Sequence, residues 1–217
     1  MAAVQSKIHD ARARRLRRDY DLTGVVLTLS FLAMLSTCGA AQAQDLSASP
    51  TATTVVVFAD RPMRDAQWSA LFTALRSGVK QGGAETQPIA GNSEIIRGDA
   101  VRPGIRVNSA IVVYLHGDCN LDPLPMRTVY GVPLGWVHRH RGRIEPFAHV
   151  DCTRIGNMLG PEARVMKRDQ RTQVMAGAIA RVILHEWIHI ATQSPAHAES
   201  GVAKADFDVS DLMAGGR

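Results

Sequence analysis

The sequence predicts an α+β domain: a mixed, twisted sheet backed by helices, one of which is long and carries the chemistry. Three observations lead there. β-Branched runs at Thr54–Ala59 and Ser109–Leu115 are bounded by Asp, Pro or Gly and read as buried strands. The first of them is followed at once by apolar residues at helical spacing. A much longer helical run closes the chain after the last strand signal. No internal repeat or low-complexity tract interrupts this order.

The amino-terminal residues belong to none of these elements. Arg12, Arg14, Arg15, Arg17 and Arg18 form a basic stretch, Val25–Leu35 is an eleven-residue apolar run, and Ala41-Gln42-Ala43 is a small-x-small cleavage pattern. Residues 1–43 therefore read as a secretory signal, with a mature start at Gln44 and an exported, periplasmic or secreted protein. Two alternatives stay open. Leu35-Ser36-Thr37-Cys38 loosely resembles a lipoprotein box, which would put a lipid at Cys38 and a membrane beside the domain. The basic stretch is also long for a signal, which fits a later translation start than Met1.

Composition agrees with a single exported domain. The chain is 46% hydrophobic and 21% charged, enough for a core. The net charge of +5 sits largely in the leader, where six Lys/Arg face three Asp/Glu, and only +2 remains beyond it. That balance leaves no electrostatic footprint for nucleic acid. Outside the leader there are two cysteines, Cys119 and Cys152. They can pair in an oxidising compartment, or stay as two buried thiols; their spacing is not that of a zinc knuckle.

Residues 44–53 are rich in Ser, Ala, Thr and Pro and read as a flexible lead-in to a domain spanning 54–217. After the first strand, Met63–Val79 places Trp68, Leu71, Phe72 and Leu75 on one helical side, and Gly82-Gly83 stops it. A weaker strand falls within Thr86–Ile96, and Pro103-Gly104 marks a turn. Ser109–Leu115 is the clearest central strand. Leu134–His138 and Ile144–Val150 are strand-like, joined by a hairpin with Gly142 in its bend. Pro146 argues for an edge strand or a bulge. Asp169 is placed to cap a helix from about Gln170 to Thr192. Asp206, Asp208 and Asp211 suit the capping of a short last helix, or a role behind a metal site.

The long helix holds His185-Glu186-Trp187-Ile188-His189, an H-E-x-x-H pattern. Eight His and six Glu in 217 residues would supply such a match by chance roughly 0.01 times. Four residues advance a helix by about one turn, so both imidazoles leave one face and can grip one ion. Glu186 lies about 100° around the axis, poorly placed to ligate from there but able to take a proton from a water on the metal. A catalytic zinc site needs a third protein ligand. Pro195 disfavours helix beyond Ser194, and His197 can swing back as that ligand, with Glu199 its competitor.

These residues resemble the zincin metallopeptidases, and more closely the metzincins, whose motif is H-E-x-x-H-x-x-G-x-x-H followed by a Met-turn. The likeness covers 54–213 in outline and 185–203 residue by residue. Thr192 stands at the glycine position, the third histidine falls two residues late, and Gly201-Val202-Ala203 stands where a Met-turn would be. In this form the segment resembles small exported bacterial zincin-like proteins. The resemblance implies Zn2+ held by His185, His189 and His197, Glu186 as general base, and a protein or peptide substrate. It implies that the substrate lies antiparallel along Leu134–His138 as an exposed edge strand, with His138, His140 or Tyr130 as an assisting donor. A second class of function is an exported zincin-like protein without catalysis, acting as an envelope binding or scaffold module.

Overall fold

The computed structural model describes residues 53–81, 86, 89, 93–102, 109–123 and 133–214. The expected signal with Cys38, the lead-in up to residue 52, and Tyr130 lie outside the described residues.

The elements run β1 (Thr53–Ala59), α1 (Asp65–Gln81), β2 (Ser93–Arg97), β3 (Ser109–His116), β4 (Gly135–His140), β5 (Arg143–Asp151), α2 (Cys152–Ala163), α3 (Arg168–Thr192) and α4 (Val209–Ala214). The five strands form one mixed sheet in the order β2-β1-β3-β5-β4. β1 pairs in parallel with β2 and β3, β3 in parallel with β5, and β4 antiparallel to β5 at one border. The α+β class and the mixed sheet are as the strand and helix signals predict.

The most deeply buried strand residues show which face of the sheet meets the helices. Val55, Val57, Val113, Leu115, Ala148 and Val150 are buried essentially completely, and Leu71 and Leu75 from α1 and Ile179 and Ile183 from α3 join them in one core. Each such Leu or Ile contributes about 1.5–3 kcal/mol through the water it sheds. α1 and α3 pack on each other, and α3 also packs on β5 and β4. Gly78 permits that helix contact: a Cβ there would fall 2.3 Å from Leu184 Cδ1. α3 is apolar and long enough to cross a membrane by composition, but 89% of its most apolar window is buried within the domain, as in a core helix.

The opposite face of the sheet carries a row of rings. Phe58, Tyr114, His149 and Trp136 stack in sequence across β1, β3, β5 and β4, with centroids 5.1–5.7 Å apart. Strand spacing of about 4.8 Å brings such residues into contact across the sheet.

Four expectations are corrected. A helix, α2, forms where none is predicted: Cys152, Ile155, Leu159 and Ala163 make a fully buried stripe, and Asp151 caps it by accepting from Arg154 N at 3.0 Å. Gly156, Gly160 and Pro161 hide that stripe from a propensity reading, and tertiary burial overrides them. Asp169 lies inside the first turn of α3, which begins one residue earlier; Gln170 instead accepts from Lys167 N at 2.9 Å. Pro146 is in an interior strand, so of its two readings only the bulge applies, and the β4–β5 register shifts between Val137 and Arg139. Thr53 belongs to β1 rather than to the lead-in. The hairpin between β4 and β5 turns through Arg141 and Gly142, both at positive φ (49° and 81°), as a tight two-residue bend requires.

Cys119, just after β3, is joined by a disulfide to Cys152 at the start of α2. Closing a loop of this length contributes roughly 3–4 kcal/mol by chain-entropy arithmetic. Gln67 of α1 reinforces the same corner by donating to Cys119 O at 3.2 Å. In unfolded, unreduced protein beginning at Gln44, thiol titration should find no free thiol; two per chain would refute the bridge.

Candidate metal centre

The site is built on the last two turns of α3. Every residue from Val174 to Ile190 except Arg181 is buried, so His185, Glu186 and His189 are placed by packing as much as by helical spacing. They are 7%, 5% and 7% exposed. The helix ends at Thr192, and Gln193 takes a left-handed conformation, φ 53° and ψ 26°. Its side chain then pins the helix end to β5: Oε1 accepts from Ile144 N at 3.0 Å, and Nε2 donates to Ile144 O at 3.0 Å and to Ile190 O at 2.8 Å.

Beyond Pro195 the chain doubles back. Ala198 N donates to Ala203 O at 2.9 Å, and Gly201 supplies a positive φ of 79° in the bend. Lys204 pairs with Asp211 of α4, tying the loop down. Asp208 and Asp211 cap that helix reciprocally, each carboxylate accepting from the other's N–H at 2.8 and 2.9 Å. This is the capping role expected for two of the three tail aspartates; Asp206 stays exposed.

The returning loop brings His197 to the helix histidines. Its ring centroid lies 5.2 Å from that of His185 and 4.9 Å from that of His189. One ring nitrogen from each of the three falls within 4.8 Å of the others, so the group could hold a metal ion. His185 and His189 are buried and His197 is exposed, which gives the cluster an open side. Glu199, the competing ligand, is exposed and is not a member of this group.

Two backbone carbonyls decide what the buried pair can do. His185 Nδ1 lies 2.9 Å from Val202 O, and His189 Nδ1 lies 2.7 Å from Ser194 O. A carbonyl only accepts, so each Nδ1 carries a proton, and in the neutral form of each ring it is Nε2 that presents a lone pair. Those two Nε2 atoms face each other 3.1 Å apart. With no proton to share they repel, unless a cation lies within reach of both. Two nitrogens on a tetrahedral zinc with bonds of 2.0–2.1 Å stand about 3.3 Å apart, close to the spacing here. Burial holds the His185 pKa down at about 4, with smaller contributions from the charges of His189 and His197; its bond to Val202 acts the other way. Near neutral pH its lone pair is therefore free for a metal.

The Glu186 carboxylate lies against β4. A Cβ on Gly135 would meet its Oε1 at 2.8 Å and Val182 Cγ1 at 2.6 Å, so the carboxylate occupies space that only glycine leaves. Burial alone pushes its pKa up to about 7. Phe207 packs edge-on against His185, centroids 5.4 Å apart, and with Val202 backs the site where the resemblance expects a Met-turn.

Gln193, Val202, Ser194 and Gly135 escape a sequence reading because they act through carbonyls, a side-chain amide or an absent side chain, which no motif spells out, and Phe207 does because its ring meets His185 only in the folded chain. The proposed donors are not gathered here. His138 lies on the far face of the sheet, edge-on to His149 at 5.0 Å, and His140 is exposed at the hairpin. That far face has its own histidine pair: His116 Nε2 and His149 Nδ1 are 2.9 Å apart with rings within 9° of coplanar, and Asp60 stands 3.8 Å from His116. Burial, then the charges of His116 and His138, lowers the His149 pKa. This pair is not part of any converging three-ligand group among the described residues.

His197→Ala should sharply lower zinc stoichiometry measured by atomic absorption after dialysis, whereas unchanged stoichiometry would remove it as a ligand. The Glu186 shift gives a pH signature. Folded, metal-free protein keeps this proton up to about pH 7, while the unfolded side chain releases it near 4.5. Between those values the native state binds more protons, so stability from this group is full below pH 4.5 and is lost as pH rises through 7. Metal-free Glu186→Gln should therefore exceed the parent by roughly 3 kcal/mol in urea unfolding at pH 8 and match it near pH 4. Against known proteins the chain stands apart: no protein family, curated protein or solved structure matches it.

Proposed function

We propose that this chain is an exported, zinc-dependent peptidase of zincin-like type, with His185, His189 and His197 as metal ligands and Glu186 as general base. The observation that carries this reading is the pair of unprotonated Nε2 atoms aimed at one point, with a third imidazole beside them. Neutral imidazoles with an open side are the donor set of a catalytic rather than a structural zinc site. A zinc ion bound there would supply Lewis acidity and lower the pKa of water toward 7.

The chain's own residues divide the remaining work. The Val202 and Ser194 carbonyls keep both helix imidazoles in the ligating tautomer. Glu186, with a pKa near 7, is matched to taking a proton from water and returning it to a leaving amine at neutral pH. β4 is the border strand beside Glu186, and among the described residues it pairs only with β5. Its outer edge offers backbone N–H and C=O groups to an extended peptide. The Cys119–Cys152 bridge supports export to an oxidising compartment.

Glu186→Gln should keep its zinc and lose cleavage of a broad peptide library by about 10²-fold or more. Cleavage at the parent rate would remove Glu186 from the chemistry. Zinc-loaded parent that cleaves no library peptide would favour the non-catalytic binding module instead. Gly135→Ala should likewise lower turnover while zinc content holds, because the new methyl displaces the Glu186 carboxylate; unchanged turnover would show that its position is not critical.

A further inference from the structure

A second candidate site lies behind the metal centre. α1, α3 and the loop at Gly201 and Val202 line an open cavity of about 400 Å3. The α3 wall is mostly small, with Gly177 and Ala180, and α1 contributes Ser77 and Gln81 one helical turn apart. Arg181 is the single charged side chain among the described lining residues. Its Nε is buried and has no hydrogen-bond partner. No ion pair involves Arg181 among the described residues. Arg181 itself is half-buried, and native proteins rarely leave a buried donor such as its Nε unanswered.

We infer that this cavity binds a small organic carboxylate, received by the Arg181 guanidinium. The planar guanidinium fork matches the two oxygens of a carboxylate. Ala74, Leu184 and Val202 supply apolar walls for a short carbon chain, and the volume is that of a small-ligand pocket. A phosphate would find one cation and few other donors. The pocket shares Val202 with the metal centre, since that residue's carbonyl orients His185. The inference stands whether or not the metal centre hydrolyses peptides.

Such a carboxylate has two sources, a free organic acid or the C-terminus of a peptide. Calorimetric titration of the full chain with butyrate, with N-acetyl-trialanine and with its C-terminal amide separates them. At least one of the two acids should bind, and the amide should bind roughly tenfold to a hundredfold more weakly than the free peptide wherever the peptide binds. Arg181→Met should weaken acid binding by the same order, and Ser77→Phe, which fills the cavity from α1 and leaves Arg181 in place, should abolish it. Should Arg181→Met fail to fold, Ser77→Phe decides. Absence of binding by both acids at millimolar concentration overturns the site, as does binding that survives these substitutions, which would place the acid on the metal centre instead.

Discussion

Two hydrogen bonds from imidazole Nδ1 to backbone carbonyls govern this structure. One joins His185 to Val202 and the other His189 to Ser194. Each is a modest interaction, about 0.5–1.5 kcal/mol net. Their consequence is larger than their strength, because they settle where the protons are. Without them either ring could turn or exchange tautomers, and the two Nε2 atoms could share a proton as an ordinary pair. With them the Nδ1 atoms are taken up by the backbone, and the Nε2 atoms are the ones left to a cation that this group could hold. The carbonyls come from chain beyond the helix, so the chemistry depends on the path of the loop after Thr192.

That path is held from several directions. The left-handed Gln193 and its three side-chain hydrogen bonds fasten the end of α3 to β5. The Ala198–Ala203 backbone bond and the Lys204–Asp211 ion pair close the far side. Phe207 and Val202 fill the space behind the rings. The helix itself is anchored by burial against α1 and the sheet. A core helix of this kind is an unusual place for an ionisable trio, and the three members are accommodated differently. The imidazoles are hydrogen-bonded to backbone carbonyls. Glu186 has burial without a compensating charge, which raises its pKa. The same desolvation that costs stability brings its titration near neutral pH.

The sheet presents two unlike faces to this arrangement. One is aliphatic and seats α1 and α3; the other carries the ring row and the His116–His149 pair. β4 belongs to both. Gly135 leaves room for Glu186 on the helix side, while Trp136 and His138 project to the other. The border strand is thus where the space left for Glu186, an open backbone edge and the end of the ring row lie side by side.

By itself the sequence determined the α+β class, the principal strands, the long helix, and the three histidines as a group that could hold a metal. Those features are written locally: strands in β-branched runs, the helix in its 3.6-residue period, the ligand pair in its one-turn spacing, the turn-back in Pro195. Pairing of Cys119 with Cys152 was legible as one of two options, and their proximity settled it. Helix α2 was not legible, since Gly156, Gly160 and Pro161 oppose helix until the Cys152–Ala163 stripe is buried. Tertiary structure alone decided the tautomers, the placing of His138 on the wrong face of the sheet for the site, the need for glycine at 135 and the unanswered Arg181. Each depends on a backbone carbonyl, an empty volume or a partner distant in sequence, and such relations have no local signature because they exist only once the chain has closed on itself.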